Sequence, residues 1–149
     1  MSAFDAITVG QTFTFGSYEF TAERIKAFAR NWDPQLFHVD EEAAAKSTFG
    51  GLIASGWHTV AAMMRLQVDY FRGLGADSPR FGVSPGFDDL KWLKPVYAGD
   101  RVTYSGRVLA KRLSQSRPGT VIITTEFSGV NQDGEPVFAV TAHVIVSRE

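Results

Sequence analysis

Asp33 and His38 stand five residues apart in the stretch NWDPQLFHVD, residues 31–40, with Pro34, Leu36 and Phe37 between them. A carboxylate beside an imidazole is an acid–base pair: the carboxylate orients a water or raises the ring's basicity, and the ring moves a proton near neutral pH. On a continuous helix, five residues would rotate the two side chains roughly 140° apart. Pro34 disfavours helical geometry at Asp33. The spacing therefore predicts a helix that ends at Asp33 and a loop that can turn both side chains toward one point. From these residues alone, a helix terminator followed by a surface histidine remains the competing reading. Trp32, Leu36 and Phe37 nearby favour a greasy pocket.

A second element can serve the same chemistry. GLIASG, residues 51–56, leads into an apolar helical stretch, with Ser55 as candidate N-cap. Free backbone N–H groups at a helix start stabilise a developing oxyanion, and Gly56 lets a ligand approach closely. A glycine needed only for packing is the alternative. Other candidates carry less. GVSPG, residues 82–86, matches the serine-hydrolase pattern G-x-S-x-G, but the residue after Ser84 is Pro85, which has no N–H for an oxyanion hole. It reads as a loop. His38, His58 and His143 are the only histidines, without metal-ligand spacing, so no metal site is expected. His143 reads as a half-exposed strand residue and His58 as a packed structural one.

The elements that must position these groups follow from periodicity. Gln11–Phe20 reads as a strand. Thr21 then caps a short helix whose apolar face is Ile25, Phe28, Ala29 and Trp32. Asp40 caps a second short helix, EEAAAKS. From Gly56 to about Arg72, Trp57, Val60, Ala61, Met64, Val68 and Phe71 form one stripe, which Ala62, Met63 and Leu66 widen. A helix apolar nearly all round is expected to be buried. Four strands follow, 86–93, 101–113, 120–130 and 137–147, with turn signals at 117–119 and 131–134. This order predicts an α+β fold, one antiparallel sheet wrapped around one long helix.

The chain's 149 residues fit a single domain, 1–149. With a formal net charge of −1 and no block of like charge, it lacks the electrostatic footprint for nucleic acid or an anionic membrane. It has no cysteine, which excludes disulfides and thiolate chemistry and fits a cytoplasmic setting. MSAFDAITVGQTF is not patterned as a signal peptide. An uncharged run of 18 residues between Lys46 and Arg65 approaches membrane-spanning length, but its serine, threonine, histidine and glycine content makes it a buried helix of a soluble core.

Taken together, these residues resemble the MaoC-like dehydratase family, the hydratase branch of the hot-dog fold. The segment DPQLFHVD (33–40) followed by EEAAA resembles that family's overhang, with the Asp-to-His spacing retained. Further matches are IASGWHT (53–59), LKPVYAGD (93–100) and VNQDGEPV (130–137), and the similarity spans about Phe13 to Val146. The resemblance implies a hot-dog domain with a short-helix overhang. It implies reversible, (R)-specific hydration of a trans-2-enoyl-CoA, or the reverse dehydration. Asp33 and His38 would activate water and the Gly56 N–H would polarise the thioester carbonyl. Ser55, Gln35 and Trp57 would line the oxyanion or substrate site. No cofactor is implied beyond coenzyme A as part of the substrate, and the expected assembly is a homodimer or a dimer of dimers. Two positions depart from relatives: Leu36 replaces a proline, and Met64 stands where some hydratases carry a serine. A hot-dog acyl-CoA thioesterase and a non-catalytic acyl-thioester-binding module are the alternatives.

Overall fold

The computed structural model describes residues 5–147. The first four residues of the N-terminal stretch and the last two of the 1–149 domain lie outside it. β1 (Thr12–Glu19) leads into α1 (Ala22–Trp32). The Thr21 hydroxyl accepts the Arg24 N–H at 3.2 Å and so caps α1. Asp33 is the last residue to bond back into the helix, through its N–H to the Ala29 carbonyl at 2.8 Å. The proline that follows stops propagation. Where the sequence predicts only a loop, the chain makes a single further turn, α2 (Leu36–Val39). Asp40 then caps α3 (Glu41–Lys46) by accepting the Ala43 N–H at 2.9 Å.

The long helix α4 (Gly56–Gly73) has 18 residues, about 27 Å at 1.5 Å per residue. After it come β2 (Arg80–Phe81), β3 (Gly86–Trp92), β4 (Arg101–Leu113), β5 (Thr120–Val130) and β6 (Pro136–Ser147). The strands form one curled antiparallel sheet in the order β1-β4-β5-β6, and both β2 and β3 pair with β6 at the far edge. The hairpins β4–β5 and β5–β6 turn at Gly119 (φ +78°) and Gly134 (φ +76°), a left-handed geometry that glycine adopts without steric cost. The α+β expectation holds, and the chain is a hot-dog: a sheet folded around one helix.

α4 turns His58, Thr59, Ala62 and Met63 into the sheet, where Phe20, Ile25, Val102, Tyr104, Phe138 and Val140 complete the core. The Tyr104 hydroxyl donates to the Thr59 carbonyl at 2.8 Å, tying helix to sheet at its first turns. The expectation of burial all round α4 fails. Trp57, Met64 and Val68 are 58%, 44% and 37% exposed, because the sheet contacts only one side of the helix. No helix among the described residues is long and apolar enough to cross a membrane. The uncharged run divides between the 47–55 loop and the first half of α4.

Candidate active site

The overhang and the head of α4 meet over the first turn of the helix. Asp33 lies at the end of α1 and His38 on α2, and the turn between them closes the gap that a straight helix would open. His38 Nε2 lies 3.3 Å from Asp33 Oδ2, with His38 only 5% exposed. The other ring nitrogen, Nδ1, is 2.7 Å from the Ile53 carbonyl oxygen, which can only accept. That contact assigns a proton to Nδ1 and turns Nε2 toward Asp33. Ile53 is itself fixed. Its N–H bonds the Phe37 carbonyl, the next N–H, of Ala54, bonds the Val96 carbonyl, and Ile53 bridges to Tyr97.

Asp33 receives two donors. Ser55 Oγ–H bonds Oδ2 and Gln35 Nε2–H bonds Oδ1, each at 2.7 Å. Burial is the largest single influence on this carboxyl and opposes ionisation. The Gln35 and Ser55 hydrogen bonds and the charge of His38 together outweigh it, holding Asp33 below the usual carboxylate range. Ser55 occupies the N-cap position of α4 but makes no cap bond with its side chain. This corrects the sequence expectation: the hydroxyl is committed to Asp33, 22 residues away in sequence. An ionised carboxylate and an imidazole lone pair are both acceptors. At 3.3 Å, they are reconciled by a proton on Nε2 or by one water donating to both.

Gly56 is the first residue of α4, so its N–H belongs to the first-turn amides that have no acceptor inside the helix. Gly56 and His38 line one cavity of about 250 Å³, together with Thr59, Trp92, Lys94 and Val137. Sequence reasoning missed Trp92. Its indole lies so close over Gly56 that an added Cβ would come within 2.3 Å of Cε2. Its Nε1–H points to the Gly56 carbonyl at 2.9 Å and to Thr59 Oγ1 at 3.2 Å. Thr59 Oγ1–H also donates to the Gly56 carbonyl. The indole occupies the space a Cβ would need, which is the packing reading of Gly56. Trp57 stands edge-on to Trp92, with ring centroids 5.3 Å apart, and is exposed. No local pattern links Trp92 to Gly56.

The remaining titratable candidates lie elsewhere. His58 is buried under Phe28, with rings stacked at 4.7 Å, and its Nε2 is 3.2 Å from the Tyr18 hydroxyl. Burial, with a smaller contribution from the Arg24 charge, depresses its pKa to about 4, so it is neutral. His143 is half-buried on β6 as expected, with two partners that were not foreseen: Asp88 Oδ2 at 2.6 Å and Thr124 Oγ1 at 3.0 Å. Ser84 Oγ–H donates to the His143 carbonyl at 2.6 Å from a loop, with no helix behind it. Among the described residues, no group of three or more His, Asp or Glu side chains is set to hold a metal.

Residues 5–131 match the family model described as MaoC like domain. A MaoC-like dehydratase from Rhodospirillum rubrum superposes with a TM-score of 0.84 at 40% identity, covering 97% of this chain and 96% of that one. The (R)-hydratase from A. caviae involved in PHA biosynthesis gives a TM-score of 0.72 at 27% identity, over 93% and 96% of the two chains. Among proteins compared by sequence, the uncharacterized protein YdeM of Bacillus subtilis is 34% identical over 97% of this chain and 98% of its own length. The 3-hydroxyacyl-thioester dehydratase Z of Mycobacterium tuberculosis is 35% identical over 55% and 53%.

Proposed function

The chain belongs to the MaoC-like dehydratase family, and on that premise we propose that it adds water reversibly to a trans-2-enoyl thioester, giving the (R)-3-hydroxyacyl thioester, or runs the reverse dehydration. The observation that supports this reading is the 3.3 Å approach of Asp33 Oδ2 to His38 Nε2, with His38 and Gly56 lining one cavity. A water placed there donates one hydrogen to Oδ2 and the other to Nε2, leaving its lone pairs for the β-carbon. As the C–O bond forms, Nε2 takes the proton and the π-electrons move onto the thioester oxygen. The Gly56 N–H, aided by the helix dipole, stabilises that developing charge. The pair then returns a proton to the α-carbon. Asp33 stays ionised throughout, held so by Ser55 and Gln35.

In this proposal the substrate is a coenzyme A ester, with coenzyme A serving only as part of the substrate, in a cytoplasmic setting. The exposed apolar stripe of Trp57, Met64 and Val68, continued by Phe81, Phe87 and Trp92 at the β2–β3 edge, is assigned to a homodimer contact. Hot-dog thioesterases often place the working acid on the central helix. The acid that α4 offers, Asp69, is paired with Arg65 at 2.8 Å on the outer face, which favours hydration. Mixing the protein with a short trans-2-enoyl-CoA and following enoyl absorbance and free thiol together tests this. Absorbance lost without thiol supports hydration; thiol release at the same rate refutes it.

A further inference from the structure

Two chambers flank the far half of α4, away from Asp33 and His38. The inner one, about 150 Å³, lies between the helix and the sheet and is walled largely by Phe13, Tyr70, Phe71, Val108, Ile123 and Phe127. The outer one, about 380 Å³, is lined by Met64, Val68 and Arg72, on the face assigned above to the homodimer contact. Gln67, Phe71, Phe81 and Val144 belong to both linings, so the two form one compartment with a shared wall. A cavity of the inner chamber's size holds a benzene-sized apolar group in a protein interior, which corresponds to the last few carbons of an aliphatic chain.

The wall is not purely apolar. Among the described residues, Gln67 Oε1 is fully enclosed and has no hydrogen-bond partner, a costly condition for a buried carbonyl. The buried Thr125 lines the inner chamber as well. A compartment that needed only to exclude water would place leucine or methionine at position 67. We propose that this compartment binds an aliphatic chain carrying a hydroxyl group, and that Gln67 recognises the hydroxyl. The unpartnered Oε1 can only accept, and a hydroxyl in the chamber donates to it where an ether cannot. The chain has two possible sources, the distal end of the acyl group in the thioester substrate or a free hydroxylated aliphatic molecule. Only the first rests on the function proposed above.

Binding is measured first, without reference to catalysis. 1-Hexanol and its methyl ether are titrated into the intact protein, and the methyl resonances of Val144 and Ile123 are followed by NMR. The alcohol-to-ether affinity ratio should exceed that of Gln67→Met, a near-isosteric change, by roughly tenfold, the worth of one buried hydrogen bond. No saturable shift with the alcohol, or the same ratio in both proteins, overturns the proposal. Gln67→Leu repeats the comparison if the methionine variant does not fold. The sources are then separated with a hydroxyl-terminated enoyl-CoA and its unsubstituted parent. A lower KM for the hydroxylated ester in the wild type, lost in Gln67→Met, assigns the acyl tail. Equal KM values with the binding ratio intact assign a free ligand.

Discussion

Replacing Gly56 with alanine separates two views of the head of α4. If glycine serves only to leave the amide accessible, alanine keeps that N–H and should be tolerated. The structure says otherwise, because an alanine Cβ would lie 2.3 Å from Trp92 Cε2 and 2.6 Å from Cδ2 and Nε1. Relaxed carbon contacts are about 3.5–4.0 Å, so the indole must retreat by at least about 1 Å. Its bonds to the Gly56 carbonyl and to Thr59 Oγ1 start at 2.9 and 3.2 Å and would not survive that shift. Losing one bifurcated, half-exposed N–H bond costs about 1 kcal/mol, while glycine to alanine in a helix returns up to about 1 kcal/mol. Folding stability should therefore change by no more than about 1 kcal/mol. Activity should fall much further, because a 1 Å misplacement at a reacting centre costs about 100-fold. Thermal denaturation, hydration of a short enoyl-CoA and tryptophan emission in a Trp32→Phe/Trp57→Phe background check all three points. Near-normal kcat alongside a red-shifted Trp92 emission would refute the idea that the indole holds the amide in place.

Three other outcomes follow from the geometry. Ser55→Ala removes a donor to the Asp33 carboxylate, so the Asp33 pKa should rise and the acidic limb of the pH–rate profile should move to higher pH. His58 is held at about 4 in the fold, against about 6.5 in the unfolded chain. The unfolded chain therefore binds more protons between these values, and the resulting loss of stability accumulates as pH falls from about 6.5 to 4, approaching roughly 3 kcal/mol. Thermal scans of His58→Phe across that window should show a flatter acid-side decline. On the proposed homodimer contact, Val68→Glu in the exposed stripe of α4 should give a monomer in sedimentation where the unsubstituted protein gives a dimer, without lowering the stability of the monomer.

The parts of this site that were legible in the sequence are those with local causes. Pro34 ending α1, Thr21 and Asp40 capping their helices, and the meander with its turns at 119 and 134 all arise within a few residues. Even the meeting of Asp33 with His38 depends only on the break between them. Ser55 shows where local logic stops. Its position predicted a cap, but a carboxylate 22 positions back in the chain competes for the same hydroxyl and wins it. Trp92 reaches Gly56 from β3, 36 residues on, and no spacing rule carries that information. The α4 periodicity misled for a different reason: an apolar stripe signals burial without saying whether its own sheet or another surface provides it.

The central claim is that Asp33 and His38 act as one unit on one water. A double-mutant cycle of Asp33→Asn, His38→Gln and the double variant, measured as kcat for enoyl-CoA hydration, tests it most directly. Each single substitution should lose several orders of magnitude, and the double should be little worse than the more damaging single. Additive losses, or a single variant with near-normal kcat, would contradict the account.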